Sequence, residues 1–111
     1  MRVLEFNVDQ QRLKKAEGCD FSGIIAGTEG YLKAKFRFSE DWDGCMKVVS
    51  FWAVNPLFGD PVEYAVLLDE NDICAIPADA LLYEMFAISV IGAKKNYKIT
   101  TNRIKINQEV H

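Results

Sequence analysis

The sequence predicts an all-β protein, an antiparallel Ig-like β-sandwich of about seven or eight strands with one short helical crossover. Three observations carry this expectation. Residues 31–38 alternate strictly, with Leu32, Ala34, Phe36 and Phe38 on one face and Tyr31, Lys33, Lys35 and Arg37 on the other, as the two-residue period of a strand dictates. Similar short alternating runs recur along the chain, bounded by Gly, Pro, Asn and Asp. No strand–helix–strand repeat is present, so a parallel doubly wound sheet is not expected.

In order along the chain, Leu4, Phe6 and Val8 alternate with Glu5 and Asn7 to give a first half-buried strand. Asp9-Gln10-Gln11 reads as a turn, with residues 12–15 pairing back. Gly23, Gly27 and Gly30 punctuate a turn-rich connection that is expected to carry Ile24 and Ile25 into the core. The amphipathic strand at 31–38 runs into Ser39-Glu40-Asp41-Trp42-Asp43-Gly44, and residues 47–53 run back, so 31–53 reads as a hairpin-like block. Pro56, Gly59 and Pro61 exclude regular strand from 55–61. Val62, Tyr64, Val66 and Leu68 alternate next. Asp69-Glu70-Asn71-Asp72 is a turn, and residues 73–76 return as a short strand that Pro77 ends.

Residues 78–84 form the helical piece, with Pro77 near its first position and Asp79 in its first turn; a single 3₁₀ turn fits equally well. Phe86, Ile88 and Val90 alternate with Ala87, Ser89 and Ile91 as a central strand apolar on both faces. Residues 92–96 are expected to turn. The final segment changes phase between Ile99 and Ile104, which predicts a bulge or a sheet switch near Asn102.

Composition bounds the function. With 111 residues and half of them hydrophobic, the chain reads as a single β-sandwich domain spanning 1–111 that needs neither metal nor disulfide to fold. Its net charge of −3 argues against nucleic acid. No apolar run reaches membrane length, and the early Glu5 is inconsistent with a secretion signal. Cys19, Cys45 and Cys74 are odd in number and unpaired in spacing, as expected of reduced thiols in a cytoplasm.

Catalytic chemistry finds no foothold. The single histidine, His111, is the last residue, so Ser-His-Asp and Cys-His arrangements are not expected. Glu40-Asp41-Asp43 and Asp69-Glu70-Asp72 lack the further ligands of a calcium loop and read as turn formers. No metal, no cofactor and no enzymatic activity are expected. Trp42 and Trp52 are expected to plug the ends and middle of the sandwich, with Trp42 also a contact candidate at its corner. Phe58, beside Leu57 in the proline-bounded loop, has no core slot in the pattern and reads as an interface anchor.

The run from Tyr31 to Phe38 followed by Ser39-Glu40-Asp41-Trp42-Asp43-Gly44 resembles a pattern in small β-domains of tailed phages and prophages of Gram-positive bacteria. Tyr64-Ala65-Val66-Leu67-Leu68-Asp69, Cys74-Ala75-Ile76-Pro77, Phe86-Ala87-Ile88-Ser89-Val90-Ile91-Gly92 and Ile99-Thr100-Thr101-Asn102 fit the same likeness, which spans roughly residues 31–106. Such domains occur in baseplate, tail-fibre and head-fibre proteins, as modules that dock onto the virion. The resemblance implies a virion structural accessory protein (head decoration, fibre base, tail or baseplate component), made in the host bacterial cytoplasm. Its expected partners are phage capsid or tail proteins, in a homo-oligomeric or lattice-bound state, with no nucleic acid and no membrane. It implies no catalytic residues. Fibre proteins of this kind continue into a stalk and receptor-binding tip, whereas here only the docking-type module is seen, so attachment rather than receptor recognition is expected. The contact residues expected are Tyr31, Lys33, Lys35, Arg37, Trp42, Leu57 and Phe58. Alternative readings are a soluble phage-encoded protein that blocks a host factor, and a carbohydrate-binding module acting through Trp42 or Phe58.

Overall fold

The computed structural model describes residues 1–57 and 59–110, and among them the chain forms nine strands in two sheets. The strands are β1 (Arg2–Asp9), β2 (Arg12–Lys15), β3 (Leu32–Phe38), β4 (Met46–Ala53), β5 (Val62–Leu67), β6 (Ile73–Ala75), β7 (Met85–Lys94), β8 (Tyr97–Thr100) and β9 (Ile104–Asn107). Four of them make one sheet in the order β2-β1-β3-β6. Five make the other: β5-β4-β7, with β8 and β9 end to end along the far side of β7. The helical piece is a 3₁₀ turn, Ala78–Leu81, and a second 3₁₀ turn, Glu40–Trp42, occupies the acidic corner.

The count exceeds the expected seven or eight because the final segment divides. Ile91 faces Thr100 and Ile88 faces Ile104, so three residues along β7 oppose four on the other chain segment. That is the bulge expected near Asn102. It inserts one residue and restores Ile99, Ile104 and Ile106 to the same inner face. Strand β7 continues through Gly92 to Lys94, so the turn expected over 92–96 shrinks to Lys95 and Asn96. Asn96 takes the left-handed conformation, φ 59°, which its side chain tolerates.

The sheets are not wholly antiparallel. Strands β1 and β3 run parallel in register from Arg2–Leu32 to Val8–Phe38. The β1–β2 hairpin lies on one side of β1, and residues 16–31 carry the chain back to place β3 on the other. Alternation alone reads identically for either direction, because both place every second side chain on the core face.

The two acidic turns are also not hairpins. Strand β3 belongs to the four-stranded sheet and β4 to the five-stranded one, so residues 39–45 carry the chain across the sandwich. The same holds for 68–72, between β5 and β6. The core between the layers is one cluster built from the inward residues of both, including Leu4, Phe6, Phe36, Phe51, Phe86 and Ile106. Ile24 joins it, but Ile25, expected inside, is 46% exposed.

Trp42 closes one end of this core. It is fully buried; its indole N–H donates to the Gln10 carbonyl at 2.7 Å, and its ring lies 5.0 Å from that of Phe38. Gly92 makes room for it: a methyl group on Gly92 would stand 2.6 Å from Trp42 Cε3. That ring is fully buried and its indole N–H is held by the Gln10 carbonyl, so it has little room to turn away. Gly92→Ala is expected to lower stability by about 1–3 kcal/mol, the usual cost of overpacking. Urea denaturation checks this. In the double variant with Trp42→Leu the Gly92 penalty should largely vanish, since the clashing ring is gone.

Candidate interaction faces

The outward side of the four-stranded sheet is polar and carries the β3 stripe. Lys33, Lys35 and Arg37 stand beside Val3, Glu5 and Asn7 of β1, in that order. Lys35 and Arg37 are exposed and Lys33 is half-buried. The one ion pair among the described residues is Lys47–Asp72 at 3.0 Å, so none of the three stripe cations is within ion-pair distance of a described residue's carboxylate. Glu5, Glu17, Asn7, Lys35 and Arg37 border a shallow depression of about 210 Å³ on this face. Strand β3 is an inner strand, flanked by β1 and by the three-residue β6, so its lysines do not guard an edge. Tyr31, at the strand's entry, is half exposed.

The corner at 39–45 is structural. The Ser39 hydroxyl donates to an Asp41 carboxylate oxygen at 2.9 Å and accepts the Gln10 amide at 2.9 Å. The Tyr97 hydroxyl donates to the Asp41 carbonyl at 2.7 Å, and Lys94 Nζ to the Asp43 carbonyl at 2.9 Å. These bonds lock the corner against the β1–β2 and β7–β8 hairpins. With Trp42 buried inside it, the expected outward contact, and the sugar-stacking role weighed for the same residue, are corrected: the indole faces the core. Leu57 lies 81% exposed in its loop. Phe58 and His111 fall outside the described residues. Among the described residues no group of three or more His, Cys, Asp or Glu is placed to hold a metal ion, and no helix is long and apolar enough to cross a membrane.

Sequence reasoning missed the outer side of the five-stranded sheet. Phe51 and Val49 point inward, so Trp52, Ser50 and Val48 point out, and the expectation of a core slot for Trp52 is corrected. Its indole lies across β7, with Nε1 3.3 Å from the Ser89 hydroxyl. The Arg103 guanidinium sits over the ring at 3.8 Å from its centroid. Beneath them the Ser50 hydroxyl donates a hydrogen bond to the Glu63 carboxylate. Towards the other end, Val48, Ile91, Leu67 and Met46 form an apolar strip, with Leu67 57% and Met46 66% exposed. The signal available in the sequence was that β7 is apolar on both faces, which a wet outer side does not require.

The thiols are free. Cys19 and Cys45 are half-buried, whereas Cys74, on β6, points into the core. Burial, assisted by the negative charge of Asp69, pushes the Cys74 pKa up to about 12. An unfolded thiol ionises near 8.5. Above that pH the unfolded chain releases a proton that the folded one retains, so stability falls as pH rises towards 12 and the contribution is complete below 8.5. Urea midpoints across that window should decline more steeply for the parent than for Cys74→Ala. In native protein an alkylating reagent should modify Cys19 and Cys45 well before Cys74.

No protein-family model matches this chain, and no curated protein matches it.

Proposed function

We propose that this protein is a phage virion structural accessory protein, an Ig-like β-sandwich that binds capsid, tail or baseplate proteins as a decoration or docking module. The observation that carries the reading is the β3 stripe. Three cations project in line from a rigid sheet, and none has a carboxylate partner among the described residues. A lysine or arginine held this way meets an acidic partner without the ordering cost of a flexible loop. Tyr31 continues the stripe and adds an aromatic contact at its end. The residue pattern over 31–44 sets the reading in a virion, by its resemblance to docking domains of phage structural proteins.

The mechanism is stoichiometric. One sheet face offers a modest affinity, and repetition of the partner on a symmetric capsid or tail multiplies it through effective concentration. Leu57 adds an apolar contact beyond the stripe. Electrostatic attraction across the face also makes binding sensitive to salt.

Mass spectrometry of purified phage particles is expected to find this chain in many copies per particle; its absence from particles would sink the reading. Lys33→Glu, Lys35→Glu and Arg37→Glu together should weaken rebinding to stripped particles by at least about tenfold. The triple variant should keep its fold, because all three side chains lie outside the core.

A further inference from the structure

We infer that the outer face of the five-stranded sheet is a self-association surface, on which a second copy of this chain packs face to face about a two-fold axis along the strands. This goes beyond the virion reading and concerns a different face, so either can fail alone.

The starting observation is a segregation of charge within one sheet. Residues 85–108 hold Lys94, Lys95, Lys98, Arg103 and Lys105 and none of the chain's sixteen acids. Eight cations against sixteen acids remain elsewhere, in a chain of net charge −3. Strands β7 to β9 therefore give the sheet one basic side. The other side, β5 and its flanks, carries Asp60, Glu63, Asp69 and Glu70. The apolar strip lies between the two.

The registers show how such a face meets itself. One row across the outer side reads Glu63, Trp52, Ala87, Lys105, and another reads Leu67, Val48, Ile91, Thr100. A two-fold axis along the strands, between β4 and β7, sets β4 of one copy over β7 of the other and β5 over the β8–β9 side. Glu63 of one copy then lies over Lys105 of the other, and Val48 lies over Ile91. Each pairing occurs twice, as an isologous contact requires. Arg103 adds to the match. Its guanidinium is already positioned by Trp52 and has no carboxylate within ion-pair distance among the described residues, so its donors are free for the acidic side of the second copy. The opposite pairing, basic side over basic side, would set like charges together at a cost.

The area is sufficient. Four strand widths about 4.8 Å apart and about eight residues long present roughly 500 Å² each, or about 1,000 Å² for the pair. This is the threshold size for a biological interface, so a weak dimer with a dissociation constant of roughly tens to hundreds of micromolar is expected.

Sedimentation equilibrium over about 10 µM to 1 mM reads the outcome. The parent should approach twice its 12.6 kDa mass. Lys105→Glu and Glu63→Lys should each weaken the dimer by at least about tenfold, because each reversal opposes two symmetric contacts. The double reversal should recover most of that loss. Met46→Lys, at an exposed position clear of both pairings, should weaken association while circular dichroism and the melting temperature stay unchanged, which separates lost packing from lost folding. A monomer at 1 mM, a closed ring of three or more, or a dimer indifferent to all of these changes would overturn the proposal. So would a dimer weakened by the β3 stripe variants instead.

Discussion

The burial of Trp42 at the crossing between sheets is the constraint on which the other elements of this fold depend. The chain leaves β3 through a seven-residue acidic corner and re-enters in the opposite layer. A corner of that kind exposes the end of the core unless something large fills it. Trp42 does so, with its indole N–H satisfied by the Gln10 carbonyl and its ring against the backbone of Gly92. One side chain thus fixes the β1–β2 turn, the corner and β7 relative to one another. Its polar atom is paired, so burial costs no unsatisfied donor. The acidic residues around it serve the same geometry: Asp41 and Asp43 offer carbonyls to Tyr97 and Lys94, and their charge keeps the corner wet.

At the other side of the sandwich, closure is achieved by side chains acting as strand partners. Asn102, in the bulge, accepts the Leu13 amide at 2.7 Å and donates to the Leu13 carbonyl at 3.3 Å. Gln11 Nε2 donates to the Thr100 carbonyl at 3.1 Å. These bonds tie the β2 edge of one sheet to the β8–β9 edge of the other. The bulge is therefore more than a correction of phase: it turns Asn102 towards the neighbouring sheet, where a regular strand would have directed it along its own face. Where these bonds form, the two edges are occupied by each other.

The sequence was informative wherever the two-residue period has a single consequence. Leu4, Phe6 and Val8, then Ala34 and Phe36, then Phe86, Ile88 and Val90 all face the core as their alternation requires. The outward stripe of Lys33, Lys35 and Arg37 was legible by the same rule. What the period cannot carry is the identity of the partner strand. Parallel β1–β3 pairing and the two sheet switches follow from long-range packing, and a polar turn looks the same whether it closes a hairpin or crosses a sandwich. Trp52 shows the same limit. Beside Phe51 on a largely apolar strand its size suggested the core, yet the strand admits only one of two neighbours inside, and Phe51 with Val49 takes that side.

The two outer faces consequently have different physical characters, and the difference follows from strand position more than from composition. Strand β3 is central in its sheet but turns Lys33, Lys35 and Arg37 outward beside Glu5 and Asn7 of β1, so its outside is polar. Strands β4 and β7 are central in theirs and contribute Val48 and Ile91 to the same outer row. Water covers that row poorly, and only Trp52 with Arg103 shields one end of it. A surface of this kind is tolerable on a lone domain only while it stays small, and it is most economical when something matching covers it. In the dimer proposed above, opposite charges on the two sides of the same sheet would determine orientation: they favour the arrangement in which β5 meets β9 and disfavour a slide of one copy past the other. Specificity here comes from the border of the face, while the apolar middle supplies the attraction.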